Sequence, residues 1–126
     1  METDWAGRRV FVTGATGFIG RRLVGALTRA GAEVTILTRS RSSLAGLPQP
    51  VRSRIGSMTD PKAMGKVLQG QEIVFNLAYD VRASAAENLA AFDVLLAAAA
   101  KAGVKRIIHT SSIVVYDAWP EADCTE

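Results

Sequence analysis

Three glycines stand at a three-residue spacing in the stretch VTGATGFIG, Val12 to Gly20, where an apolar run stops. Glycine tolerates positive φ and lets a backbone approach another group closely. Between a strand and a helix, such a loop turns the chain sharply and presents the first backbone N–H groups of the helix. Those groups have no partner inside the helix and carry partial positive charge. A diphosphate fits that end. In this reading Gly14 makes the turn, Gly17 admits the diphosphate and Gly20 lets the helix pack on the sheet. Ala15, Thr16, Phe18 and Ile19 complete the cofactor-binding loop. A plain tight turn accounts for an isolated glycine triplet equally well. The position after a strand and before an amphipathic helix is what favours a nucleotide. A second candidate is the densest basic cluster, TRSRSS, Thr38 to Ser43, whose two arginines suit a solvated loop or one phosphate.

These residues need elements to hold them. RRVFVTG reads as a buried strand that ends in glycine. Ile19, Leu23 and Leu27 then recur at helical spacing, with Val24 and Ala30 beside them and Arg21, Arg22 and Arg29 off the stripe. Gly31 sits where a helix C′ residue belongs. EVTILT is a second strand, RSRSSLAGLPQP a loop with at most one helical turn, and VRSRIG a weaker third strand. In TDPKAMGKVLQG, Asp60 can cap a helix, Pro61 suits its first position and Gly70 ends it, while Met64, Val67 and Leu68 give it one apolar face. EIVFNLA is nearly all apolar, as a central parallel strand should be. The longest helix runs from about Ser84 to Ala102, stopped by Gly103, and KRIIHTSS is a fifth strand. The alternation predicts one α/β domain over residues 1–126, a doubly wound Rossmann-like parallel sheet of about five strands in the order 3-2-1-4-5, with helices on both faces.

With these elements in place, VTGATGFIGRRLVGALTRAGAEVTILTR resembles the N-terminus of the extended short-chain dehydrogenase/reductases, the NAD-dependent epimerase/dehydratase group, with its T-G-x-x-G-x-x-G motif at Thr13 to Gly20. VFNLAY is similar to the family's V-x-H-L-A-A strand, and ENLAAFDVLLAAAAKAGVKRIIHTSSIVVY to its N-V-x-G-T-x-N-L-L-x-A-A…S-S-x-x-V-Y-G block. The resemblance implies a Ser or Thr, a Tyr and a Lys for proton chemistry, with hydride passing to or from a nicotinamide. It places the serine that polarises the substrate oxygen at Ser112, with Ser111 a packing neighbour. It implies that Leu77 and Ala78 line the cofactor ribose and that Asn88 helps hold the site, although a solvent-facing Asn88 accounts for the residue as well.

The chain also departs from that pattern. Asn76 replaces the usual histidine and Tyr79 the usual small residue. GSMTD stands where the family has G-D-L-T-D, so Ser57 replaces an Asp near the adenine. Ser57 can still hydrogen-bond, Met58 can pack on the ring, and Asp60 is read as a cap. His109 is read as a packed strand residue rather than a base. No Y-x-x-x-K occurs: Tyr79 and Tyr116 are followed four residues on by Ala83 and Pro120. The resemblance thus implies an N-terminal portion, without the later strands, the Tyr and Lys, and the substrate domain. Removing those strands would bare an apolar edge near Ile107, Ile108, Val114 and Val115 and favour self-association. The family pattern adds a homodimer through the 84–102 helix.

NAD-preferring members of such folds carry an acidic residue after the second strand for the ribose 2′-hydroxyl. Thr38 and Arg39 stand there instead. Arg39, with Ser40 and Arg41, can supply charge-assisted hydrogen bonds to a 2′-phosphate, so NADP is expected over NAD.

Composition bounds the alternatives. The 126 residues are 48% hydrophobic and 21% charged, ordinary for a soluble globular domain. METDWAG does not read as a signal peptide, and LLAAAAKAG is too short to span a bilayer. One cysteine, Cys124, excludes an internal disulfide, and a cytoplasmic setting is the default expectation. A net charge of +3 without a basic and aromatic stripe argues against nucleic acid, and no metal site is expected. The function expected is the NAD(P)-binding portion of an epimerase, dehydratase or reductase, moving hydride between nicotinamide and a hydroxyl or carbonyl substrate, a nucleotide sugar among the candidates. The alternative is a non-catalytic NADP(H)-binding sensor or interaction module, which explains the missing Tyr and Lys but leaves the Ser112 motif idle.

Overall fold

The computed structural model describes residues 4–111. Ser112, Val114, Val115, Tyr116 and Cys124 lie outside them. The architecture is organised around β1 (Arg9–Thr13), which is buried at every position after its first. Alternate side chains of a strand point to opposite faces, and β1 feeds two cores. Val10 and Val12 pack with Val24 and Leu27 of α1 (Phe18–Arg29) and with Val34 and Ile36 of β2 (Glu33–Thr38). Phe11 packs on the opposite face with Val74 of β4 (Ile73–Asn76). Met64, Val67 and Leu68 of α2 (Pro61–Leu68) join it there, as do Leu95 and Ala99 of α3 (Ala85–Ala102). Helices therefore cover both faces, as the alternation predicts.

With β3 (Arg52–Ile55) and β5 (Arg106–His109), the sheet has the order β3-β2-β1-β4-β5, and every pairing is parallel. The loop after β2 contains one short helical turn, Arg41–Leu44. All four residues of β3 are exposed, which fits its weak apolar signal and its place at the edge. The register sets Thr13 beside Asn76 and Asn76 beside His109, so these polar side chains meet at the C-terminal ends of adjacent strands.

The helix boundaries follow their caps. Asp60 accepts a hydrogen bond from the Lys62 N–H at 2.9 Å, with Pro61 in the first turn of α2. Ser84 and Glu87 form a reciprocal capping box at the start of α3, and Gly103 closes that helix in the left-handed conformation. One expectation needs correction. The apolar stripe of α1 does not run through Ile19 and Ala30, both of which are exposed. The inward face is Gly20, Val24 and Leu27, because the sheet-facing position of the first turn is occupied by Gly20 and Ile19 is rotated away from it.

At the N-terminal edge of the sheet, the Arg9 N–H donates to Glu72 Oε2 at 3.0 Å. Arg8 and Lys105 lie 3.6 and 4.0 Å from the other oxygen. That backbone hydrogen bond, then the neighbouring cations, hold the Glu72 carboxyl below its ordinary value of 4.5. A carboxylate depressed by folding contributes stability above its unfolded pKa and loses it as the pH falls through the folded value. Between about pH 6 and about pH 3, the urea midpoint is therefore expected to fall, and to fall less steeply in Glu72→Gln. Equal slopes in the two proteins would show that Glu72 contributes nothing.

Candidate functional site

The ends of β1, β2 and β4 bring three loops together. Gly14 adopts φ +67°, a conformation costly for any residue with a side chain. A Cβ there would lie 3.0 Å from the Ala78 nitrogen and the Leu77 carbonyl carbon. The backbone after β4 thus rests directly on the glycine turn, and two of the expected cofactor-lining residues meet the loop they were expected to serve. At Gly20 a Cβ would overlap the Gly14 carbonyl oxygen and come within 2.8 Å of the Ala15 Cα. Only glycine permits this helix to begin so close to the strand.

Gly17 is the N-cap of α1, where no side chain caps the helix and no acidic residue occupies the first turn. The amides that open the helix therefore have no carboxylate competing for them, an arrangement that suits an anion such as a diphosphate. Phe18 and Ile19 are 76% and 59% exposed at the same mouth, with the Arg22 guanidinium 4.1 Å from the Phe18 ring centroid. Arg21 links two loops: its Nε donates to the Thr16 carbonyl at 2.9 Å and its Nη1 to the Ala45 carbonyl at 3.1 Å. The sequence placed Arg21 merely off the apolar stripe.

Beneath the loop lies a polar network invisible in the linear sequence. The buried Thr13 hydroxyl accepts from the Leu77 and Ala78 N–H groups at 3.0 and 3.1 Å and donates to Asn76 Oδ1 at 2.7 Å. With its Oδ1 turned to Thr13, Asn76 presents its amide NH₂ to His109 Nδ1 at 3.1 Å. His109 Nδ1 must then accept, which places its proton on Nε2. His109 also lies 4.9 Å, ring to ring, from Phe92. It is nonetheless exposed, so the packed strand residue expected from sequence is a strand-end residue held by Asn76.

Asn88 pins the segment that follows. Its Oδ1 accepts from the Asp80 N–H and its Nδ2 donates to the Asp80 carbonyl, both at 2.9 Å, so it faces the loop rather than solvent. Asp80 in turn accepts from the Arg82 N–H at 2.9 Å. That hydrogen bond, and then the charges of Arg82 and Arg39, keep its carboxyl below the ordinary 3.8. Arg39 extends from the end of β2 and meets Asp80 at 3.7 Å. Ser57 is occupied locally with Thr59, Oγ to Oγ1 at 2.8 Å, and Met58 packs against the α2/α3 core. Tyr79 is exposed. A cavity of about 800 Å³ between α2 and α3 is lined by Lys62, Lys66, Val94 and Lys101 among others, none at the ends of β1, β2 or β4. Among the described residues no group of acidic, His or Cys side chains is gathered as a metal site, and no helix is long and apolar enough to cross a membrane.

A family model described as NAD(P)H-binding matches residues 14–124. An undecaprenol-linked sugar 4-epimerase of Escherichia coli O157:H7, N-acetyl-alpha-D-glucosaminyl-diphospho-ditrans,octacis-undecaprenol 4-epimerase, is 34% identical over 85% of this chain and 33% of its own length. The chain belongs to the NAD(P)H-binding, extended short-chain dehydrogenase/reductase family.

Other proteins show a similar degree of likeness. Sterol demethylase protein B of Methylococcus capsulatus is 35% identical over 80% of this chain and 33% of its own. A short-chain dehydrogenase/reductase superfamily protein from Agrobacterium tumefaciens, solved with bound NAD, superposes with a TM-score of 0.72 at 29% identity, over 87% of this chain and 34% of that one. The chain spans about a third of the length of the curated relatives it matches. The strand order β3-β2-β1-β4-β5 agrees with membership of this family.

Proposed function

We propose that this chain is the cofactor-binding portion of a reductase, dehydrogenase or epimerase that moves hydride between a nicotinamide and a hydroxyl or carbonyl substrate, with NADP(H) preferred over NAD(H). The observation that carries the cofactor reading is the uncapped, carboxylate-free start of α1, held against β1 by Gly14 and Gly20. Gly14 to Ile19, with Leu77 and Ala78, would hold the diphosphate and ribose, and Ser57 and Met58 would flank the adenine. When bound, the nicotinamide supplies the hydride chemistry. Ser112 would polarise the substrate oxygen. The names of the relatives support the enzymatic reading over a non-catalytic module, since they include a ketoreductase, an epimerase and steroid dehydrogenases.

The NADP(H) preference rests on Arg39, which is 77% exposed at the end of β2. Hydrogen bonds to a charged partner are worth enough that Arg39→Met should lose about tenfold or more in NADPH affinity. NADH affinity should stay unchanged. Calorimetric titration of both cofactors checks this, and equal or tighter NADH binding by the unaltered chain would sink the preference.

A further inference from the structure

Arg39 leaves the end of β2 and Asp80 follows the end of β4, and these strands flank β1. The contact of 3.7 Å between Arg39 Nη2 and Asp80 Oδ2 therefore spans the end of β1, where the glycine loop begins. Its two partners are held very differently. Asp80 is fixed by two backbone hydrogen bonds to Asn88 and by the Arg82 N–H on its Oδ1. Arg39 is a long side chain, largely in solvent, that can be drawn away. The sequence around Arg39 offers no carboxylate, and the fold brings one to it from 41 residues away.

We infer that Asp80 is a specificity-determining residue: it holds the Arg39 guanidinium as an internal counter-ion that a cofactor's 2′-phosphate must displace, and so tempers the preference for NADP(H) over NAD(H). This rests on the reading of Arg39 proposed above. A ligand with a free 2′-hydroxyl need not break the pair and meets no penalty. A ligand with a 2′-phosphate must win Arg39 from Asp80. An exposed ion pair contributes a modest factor, so removing the Asp80 charge should tighten binding of a 2′-phosphate by about two- to fivefold. The gain should shrink in salt of about 0.5 M, where the Debye length falls well below 10 Å.

The test uses adenosine 2′,5′-bisphosphate, which carries the 2′-phosphate, and 5′-AMP, which lacks it, titrated into the 126-residue chain by calorimetry. Wild type, Asp80→Asn, Arg39→Met and the double variant are compared. Asparagine keeps an acceptor oxygen for the Arg82 N–H, and Asp80→Ser provides a second neutral side chain in case the first disturbs the loop. The expected result is tighter binding of the bisphosphate to Asp80→Asn, unchanged 5′-AMP binding, and no gain when Arg39 is already methionine. Equal tightening of both ligands, a gain that persists without Arg39, or no gain at all overturns the inference. If Arg39→Met leaves bisphosphate affinity intact, the reading of Arg39 itself fails and takes this one with it. If Arg39→Met weakens the bisphosphate while Asp80→Asn changes nothing, only the counter-ion role is lost.

Discussion

Gly20→Ala is expected to destabilise the domain by at least about 3 kcal/mol, seen as a large drop in the urea midpoint, and to abolish measurable dinucleotide binding. The methyl group would overlap the Gly14 carbonyl oxygen and crowd the Ala15 Cα at 2.8 Å. Both neighbours are backbone, so no rotamer change can relieve the contact. The helix must move off the strand, which uncovers Val24 and Leu27 from their packing on Val10 and Val12 and shifts the amides that open α1. Gly65→Ala is the control. Gly65 lies inside α2, where a Cβ would meet nothing within 4 Å. Alanine there should stabilise by about 0.5–1 kcal/mol through helix propensity alone. Similar midpoints for the two variants would contradict the close approach at Gly20.

The second large effect lies beneath the loop. Thr13→Val keeps shape and volume but removes a hydroxyl that serves three partners. The Leu77 and Ala78 N–H groups and Asn76 Oδ1 would be left without that partner at a buried strand end. Leaving buried polar groups unpaired costs about 1–3 kcal/mol each, and a shared network does not sum simply. A loss of about 3 kcal/mol is expected, with weaker cofactor binding because the Leu77–Ala78 backbone no longer sits firmly on Gly14. Thr13→Ser, which restores the hydroxyl, should recover most of both. Urea unfolding and NADPH titration of the three proteins check this. A serine variant no better than the valine variant would show that the methyl group, not the hydroxyl, is what matters.

Much of this fold was legible because its signals are local. RVFVT and EVTILT are apolar or β-branched runs ended by turns, and Asp60, Ser84, Gly31 and Gly103 mark helix ends by their own chemistry. The glycine loop was legible for the same reason. The stripe of α1 misled because Gly20, which has no side chain, carries no apolar signal although it is the residue of the first turn that packs against Gly14 and Ala15. The remaining site residues depend on register. Thr13 and Asn76 are 63 residues apart, and Asn76 and His109 are 33, so their hydrogen bonds exist only once β1, β4 and β5 are aligned. Arg39 and Asp80 meet for the same reason. Asn88 had a motif to mark it, but its target, the Asp80 backbone, is set by the loop shape.

Glu72 gathers the Arg9 N–H, Arg8 and Lys105 at the edge of the sheet opposite the loops. A strand of five residues separates that anchor from the glycine turn, roughly 15 Å of extended chain. Thermal hardening can therefore accumulate at one end while ligand preference drifts at the other, so that selection on durability and selection on recognition need not oppose each other. Loop exchange among relatives, and laboratory evolution of cofactor choice, can draw on that independence.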